Sequence, residues 1–140
     1  MNSSINFRTF KPGDYEECCK WWIQWDQDFD GQPIERRLLP KDERCYVIEK
    51  EGKAIACTFL LLSLDVPCIA WTTYLVSNPQ YREKDRKELI RLLVKNVEKE
   101  AKKYGVLQLF TVCGDKHMSN IHADLDWMMV PVEHEAWNYL

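Results

Sequence analysis

A charged stretch at 82–87 carries the side chains best suited to bind an anion. Arg and Lys donate charge-assisted hydrogen bonds to phosphate oxygens, and the peptide N–H groups at the start of a helix also attract anions. Two interpretations remain open: a phosphate-binding loop, or a solvated helix end where acids and bases alternate. The candidate residues are Arg82, Glu83, Lys84, Asp85, Arg86 and Lys87.

Cysteine and histidine offer few candidates for a metal site or a nucleophile. No CxxC pair occurs among the six cysteines, and four of them lie in apolar runs, which predicts buried free thiols in a reducing compartment. Cys113 and His117 could share a metal, but no second close pair completes a tetrahedral site, so we expect no metal. A buried thiol is also favoured over a nucleophile at Cys113, since the sequence shows no paired base.

Composition limits the classes of function. The 140 residues carry a net charge of −3, with 46% hydrophobic and 29% charged residues, which predicts a single globular domain over 1–140. The mildly acidic balance argues against a nucleic-acid partner. No apolar run approaches the roughly 20 residues of a membrane span, and residues 1–10 do not resemble a signal peptide, so we expect a cytoplasmic protein.

The elements that would position these residues follow from hydrophobic periodicity. Alternation and β-branched residues predict strands over 5–10, 45–49, 54–64, 68–77 and 106–112, with a closing hairpin at 130–132 and 136–140. The three central strands are separated by short turns, which predicts an antiparallel meander. A later strand reached through a helix makes the predicted sheet mixed.

Three helices are predicted between these strands. The first begins at Asp14, and Glu17 stands at the spacing of a capping box. The clearest helix covers about 85–104 and is closed by Gly105. A short helix capped by Ser119 or Asn120 runs to about 129.

The tryptophans of the first helix divide between two faces. Trp22 fits the apolar stripe of the helix, whereas Trp21 and Trp25 lie four residues apart on another face. Either these two are exposed and form a substrate wall or partner surface, or the segment 27–44 folds over them. The sequence leaves both readings open.

This layout resembles the GNAT N-acetyltransferase superfamily. The strand at 74–77 is followed by Asn78-Pro79 and Arg82, then by a long amphipathic helix ending at Gly105, a further strand, and Asn120 with Ala123. The resemblance covers nearly the whole chain. It implies an α/β (α+β) acyl-CoA N-acyltransferase fold, with a mixed, mostly antiparallel sheet and flanking helices.

Three residue pairs look closest to small GNAT-like proteins encoded by tailed phages: Asp14-Tyr15, Trp21-Trp22 and Asn78-Pro79. The resemblance implies transfer of an acetyl group from acetyl-CoA to a primary amine, either a small molecule or a protein acceptor. The alternative is a non-catalytic phage accessory or virion-associated protein of this fold. A homodimer, or a phage or host protein partner, is then expected, in the host cytoplasm or on the virion.

The resemblance also implies where the cofactor binds. The pantetheine arm is expected between the fourth and fifth strands, where Leu75, Val76 and Ser77 present their backbone on one side and residues 111–113 line the other. The loop at 82–87, together with Asn120, is expected to complete the cofactor site. However, the two glycine positions of the family's phosphate loop fall on Asp85 and Lys87.

The residues for proton transfer are less clear. The tyrosine with which relatives often protonate the thiolate falls on Trp127, whose indole N–H is not a useful acid. The strand segment 71–74 lacks the carboxylate that relatives often use as a base. Asp115, His117, Glu133 and His134 are weak candidates, and each is more often a plain surface residue.

Overall fold

The computed structural model describes residues 4–25, 31–113 and 116–130. Within these residues, five strands form one sheet in the order of the chain. Adjacent strands pair antiparallel, except that the last two pair parallel, which confirms the predicted mixed, mostly antiparallel sheet. The strands are β1 (Ile5–Thr9), β2 (Cys45–Lys50), β3 (Lys53–Leu62), β4 (Ile69–Ser77) and β5 (Gln108–Phe110).

Helices flank the sheet on both sides. In the described part of the chain they are α1 (Asp14–Gln24), α2 (Arg86–Lys103) and α3 (Lys116–Asp124), and two short 3-10 turns, Arg36–Leu38 and Asp42–Arg44, precede β2. The first helix contacts β4, whereas α2 contacts β2 and β3 and is joined by α3. None of these described helices is both long and apolar enough to cross a membrane.

The alternation of side chains along each strand divides the core between the two faces. Ile48 points to the α2 side, where it joins a cluster that includes Leu93 and Val97. Its neighbour Val47 points to the other side, where it joins Trp22 and Phe59. The i, i+4 repeat that predicted the long helix is therefore the row of side chains by which α2 packs on the sheet.

The start of α1 differs from the predicted capping box. Gly13 occupies the N-cap with φ of 95°, and no side chain caps the first turn. The Asp14 carboxylate instead accepts hydrogen bonds from the Arg8 guanidinium at 2.6 Å and from the Lys11 peptide N–H at 2.7 Å. Asp14 therefore forms an ion pair with Arg8 of β1 in place of the predicted capping box.

Trp21 is buried rather than exposed, with 3% of its surface accessible. It lies in one cluster with Phe10 and Leu39, and Ile34 packs against that cluster. The described portion of the segment 27–44 therefore folds over this tryptophan, as the second reading proposed. Trp25 remains half-buried, at the end of α1.

The region after α2 also departs from prediction. Gly105 closes α2 as predicted, with φ of 81° and its N–H bonded to the Lys102 carbonyl. However, β5 is shorter than predicted. The following helix begins at Lys116, before Ser119 or Asn120, and ends at Asp124. Apart from Val130, the predicted closing hairpin lies outside the described residues.

Candidate functional site

A cleft opens where β4 and β5 separate. In the described residues the two strands pair at three positions, from Ile69 with Gln108 to Trp71 with Phe110. The Thr111 hydroxyl then donates to the Thr72 carbonyl at 3.0 Å. Beyond that bond lies a cleft of about 950 Å³, between 72–77 of β4 and residues 111–113. This volume is within the range of small-molecule and cofactor sites.

The walls of the cleft are apolar in the middle and basic at one end. Apolar side chains of α2 and α3 line it, including Ile90, Val94, Met118 and Ile121. At the N-terminal end of α2 the lining side chains are Lys84, Arg86 and Lys87. Such a cleft suits a ligand with a long neutral arm and an anionic end.

A β-bulge interrupts β4 where it borders the cleft. The β3–β4 register shifts between Cys57 and Phe59, so Thr58 stands opposite both Tyr74 and Leu75. Tyr74 has φ of 55°, a left-handed conformation that is costly for an aromatic residue. A bulge changes the direction of nearby peptide groups. The strained backbone of Tyr74 and the bulge therefore lie together at the cleft wall, and the sequence pattern of this strand predicted neither.

The predicted cofactor residues divide between the cleft and its surroundings. Leu75, Val76, Ser77, Lys84, Arg86 and Lys87 line the cleft. Asp85 and Glu83 line a neighbouring cavity, and Arg82 is exposed outside both. Asn120 is exposed on α3 and does not line the cleft. Three of the four basic residues of the loop, Lys84, Arg86 and Lys87, thus line the cleft.

Asp85 points away from the cleft. Its carboxylate accepts hydrogen bonds from Lys50 Nζ at 2.6 Å and from the Tyr81 hydroxyl, and these bonds hold the pKa of Asp85 below its ordinary value. Asp85 occupies the N-cap position of α2, but its side chain makes no capping hydrogen bond. Because the carboxylate is tied to β2, it does not occupy the basic end of the cleft.

Arg86, the next residue, lies at the cleft. Its guanidinium donates to the Ser77 hydroxyl and stands 5.2 Å from the centroid of the Trp25 ring. Burial and the nearby charge of Arg82 lower its pKa below the ordinary value. No carboxylate of the described residues forms an ion pair with it. Arg86 is therefore a partly desolvated cation without an acidic partner in this part of the chain.

Cys113 was predicted to be a buried thiol with no paired base, but it is only half-buried, it lines the cleft, and a histidine lies beside it. Cys113 Sγ is 3.5 Å from His122 Nδ1, and this nitrogen is also 2.7 Å from the Met118 carbonyl oxygen. A nitrogen so close to a carbonyl must carry the proton, so we assign Nδ1–H as a donor. It cannot then take the proton of the thiol, and a nucleophilic role for Cys113 gains no support.

His122 is the buried titratable group of the cleft lining. It is 3% exposed, whereas His117, a candidate base, lines the same cleft but is exposed. Among the residues described, no group of three possible ligands could hold a metal. The other candidates, Asp115, Glu133 and His134, lie outside the described residues.

Trp127 supports His122 from outside the cleft. Its ring meets the imidazole edge-to-face, with centroids 4.7 Å apart, and its indole N–H donates to Glu98 Oε1 at 2.6 Å. Trp127 is absent from the cleft lining. The position that the family resemblance assigned to an acid therefore helps to orient a histidine that does line the cleft.

Solved structures of GNAT acetyltransferases share this fold. A GCN5-related N-acetyltransferase from Ralstonia eutropha JMP134 matches with a TM-score of 0.67 and 16% identity, over 97% of this chain and 99% of the other. An aminoglycoside acetyltransferase, meta-AAC0020, from an uncultured soil metagenomic sample matches with a TM-score of 0.71 and 9% identity, over 97% of each chain.

N-acetylglutamate synthase from Neisseria gonorrhoeae, complexed with coenzyme A and N-acetyl-glutamate, matches with a TM-score of 0.66 and 15% identity. The match covers 88% of this chain but only 28% of the synthase. No protein-family model and no curated protein matches the sequence. The chain therefore has the GNAT acetyltransferase fold, and this similarity is shown by structure at 9–16% sequence identity.

The ion pair of Asp85 predicts a pH-dependent contribution to stability. The pKa of Asp85 is lowered in the folded state, so its stabilising effect is complete above its unfolded pKa of about 3.9 and is lost as pH falls through the lower folded value. We expect Asp85→Asn to lower the urea midpoint at pH 7, and this difference from wild type to shrink below about pH 4. Urea unfolding at pH 7, 5 and 3 measures it.

Glu83→Gln is the matched control, because Glu83 is exposed on the same loop and no ion pair joins its carboxylate to another described residue. Its urea midpoint should follow that of wild type at each pH. An Asp85→Asn difference that stays constant from pH 7 to pH 3 would contradict the ion pair.

Proposed function

We propose that this protein is an acetyl-CoA-dependent N-acetyltransferase that acts on a primary amine. The observation that carries the proposal is the cleft between β4 and β5, with an arginine at its basic end that no carboxylate of the described residues pairs with. The GNAT fold supports it. So does the presence of coenzyme A in the structurally similar Neisseria synthase.

In this proposal, the pantetheine arm lies between Val76 of β4 and the residues at 111–113. An extended arm can hydrogen-bond to strand backbone much as an added strand does. The pyrophosphate meets the N-terminus of α2, where Arg86, Lys84 and Lys87 surround it. Binding of the phosphates therefore depends more on side-chain charge than on a glycine-rich backbone.

The reaction is a direct transfer. The amine nitrogen attacks the thioester carbonyl, the C–S bond breaks, and the acetyl group passes to nitrogen while CoA leaves as a thiolate. Positioning of the two substrates supplies much of the acceleration. The bulge at Tyr74 and Leu75 redirects peptide groups at the cleft wall, and a peptide N–H aimed at the carbonyl oxygen would stabilise the developing negative charge.

His122 is our candidate for proton transfer. Since Nδ1 keeps its proton for the Met118 carbonyl, the neutral ring offers Nε2 as a base. Nε2 accepts the proton released by the amine, directly or through water, and the imidazolium then returns a proton to the CoA thiolate. One group thereby balances both proton steps, and no acid is needed at Trp127.

Calorimetry with CoA tests the proposed binding site. We expect wild type to bind CoA and Arg86→Gln to bind about 10- to 100-fold more weakly, since a charge-assisted bond to phosphate is lost. Lys102→Gln removes the same charge at the far end of α2 and should change the affinity less than about twofold. Failure of well-folded wild type to bind millimolar CoA would overturn the proposal.

A GNAT-fold binding protein without catalysis is the second candidate. Two observations favour it: segment 71–74 lacks a carboxylate, and Trp127 stands outside the cleft. CoA binding with no release of thiol from acetyl-CoA, across a panel of polyamines, aminoglycosides and lysine peptides, would favour this candidate. The phage origin and the virion association that the family resemblance implies are part of this second proposal.

Removal of the His122 imidazole should lower the rate of acetyl transfer and leave the affinity for CoA nearly unchanged. We expect His122→Gln to lower kcat by about 10²- to 10⁴-fold, the usual range for a general acid–base group, while the affinity for CoA stays within about threefold. Thiol release gives kcat, and calorimetry gives the affinity. Retained kcat in His122→Gln, with a loss in His117→Ala instead, would assign proton transfer to the exposed histidine.

A further inference from the structure

Trp25 connects the end of α1 to the basic end of the cleft. It is the C-cap residue of α1, where its peptide N–H is bonded to the Trp21 carbonyl at 2.9 Å. The indole of this half-buried residue lines the cleft. The next residue back, Gln24, accepts a hydrogen bond from the Gln80 side chain at 3.0 Å, so α1 also contacts the loop that leads to α2.

One hydrogen bond fixes the orientation of the indole. Trp25 Nε1–H donates to the Ser77 carbonyl oxygen at 2.7 Å, at the last residue of β4. The bond joins residues that are 52 positions apart in sequence, so it is a tertiary contact and not a feature of the helix end. With its N–H held, the ring presents a fixed face towards Arg86.

The same serine also binds the guanidinium of Arg86. Arg86 donates to the Ser77 hydroxyl while it lies 5.2 Å from the Trp25 ring centroid, within the distance of a cation–π interaction. Trp25, Ser77 and Arg86 therefore form a closed triangle of contacts. A guanidinium held by two partners loses less rotamer entropy when it binds a phosphate.

We propose that Trp25 is a positioning residue for anion binding: its indole orients Arg86 towards the phosphates of the cofactor. This inference rests on the proposed function, because it takes CoA as the ligand of the cleft. It adds that the C-cap residue of α1 sets part of the cofactor affinity through one side chain.

A double-mutant cycle measured by calorimetry with CoA tests the inference. We expect Trp25→Leu to weaken binding about five- to tenfold, and Trp25→Phe, which keeps an aromatic face but loses the N–H, to weaken it less. In an Arg86→Gln background, Trp25→Leu should cost less than about twofold, because the residue that it positions is already absent.

Trp71→Leu is the matched control. Trp71 is also partly exposed and stacks on Phe110, but it does not line the cleft, so the affinity should stay within about twofold of wild type. Urea unfolding of every variant confirms that the compared proteins are folded. A merely structural role for Trp25 would weaken binding by the same factor with or without Arg86.

Failure of the positioning role and failure of the proposed function give different results. An equal loss in both backgrounds, or no loss in Trp25→Leu, would overturn the positioning role and leave the proposed function standing if wild type and Arg86→Gln still differ. A wild-type protein that binds no CoA would overturn the proposed function, and this inference with it.

Discussion

Asp85 and Arg86 are adjacent in sequence, but their side chains point to opposite sides of the loop that precedes α2. The carboxylate is tied to Lys50 of β2 and to the Tyr81 hydroxyl, whereas the guanidinium contacts Ser77 at the cleft. This division lets an acidic residue stand at the start of α2 without placing its charge in the cleft. The positive charge at the basic end of the proposed cofactor site depends on this separation of Asp85 from Arg86.

The division also changes how a phosphate would be recognised. The family resemblance places glycines at 85 and 87, where they would let peptide N–H groups approach a phosphate closely. Here both positions carry side chains, and Asp85 has an ordinary backbone conformation with φ of −86°. Charged side chains can bind phosphate from a greater distance than the backbone can, so we infer that charge replaces close backbone approach.

Hydrophobic periodicity and turn residues are local features of the sequence, and they predicted the helices and strands. The i, i+4 apolar row predicted α2, the alternating strands predicted the sheet, and Gly105 predicted the helix end. Contacts between distant segments were not predictable in this way. Trp21 is buried in a cluster that includes Leu39 from a later segment, and the Trp25 indole near Arg86 is bonded to a residue 52 positions away.

The start of α3 shows the same limit at the candidate site. Ser119 and Asn120 are good N-cap residues, so the sequence favoured a later start, but the helix begins at Lys116. Within this helix Asn120 is exposed, whereas His122 is buried and lines the cleft. The spacing of nine residues between Cys113 and His122 gave no signal of their contact, because it is tertiary.

The most direct test of the central claim is to map CoA on the protein by backbone amide chemical shifts. If CoA lies between β4 and β5, the largest changes on titration will fall at Leu75, Val76 and Ser77, at 111–113, and at the first turn of α2. Changes confined to β1 and β2, or the absence of any change at saturating CoA, would contradict the account.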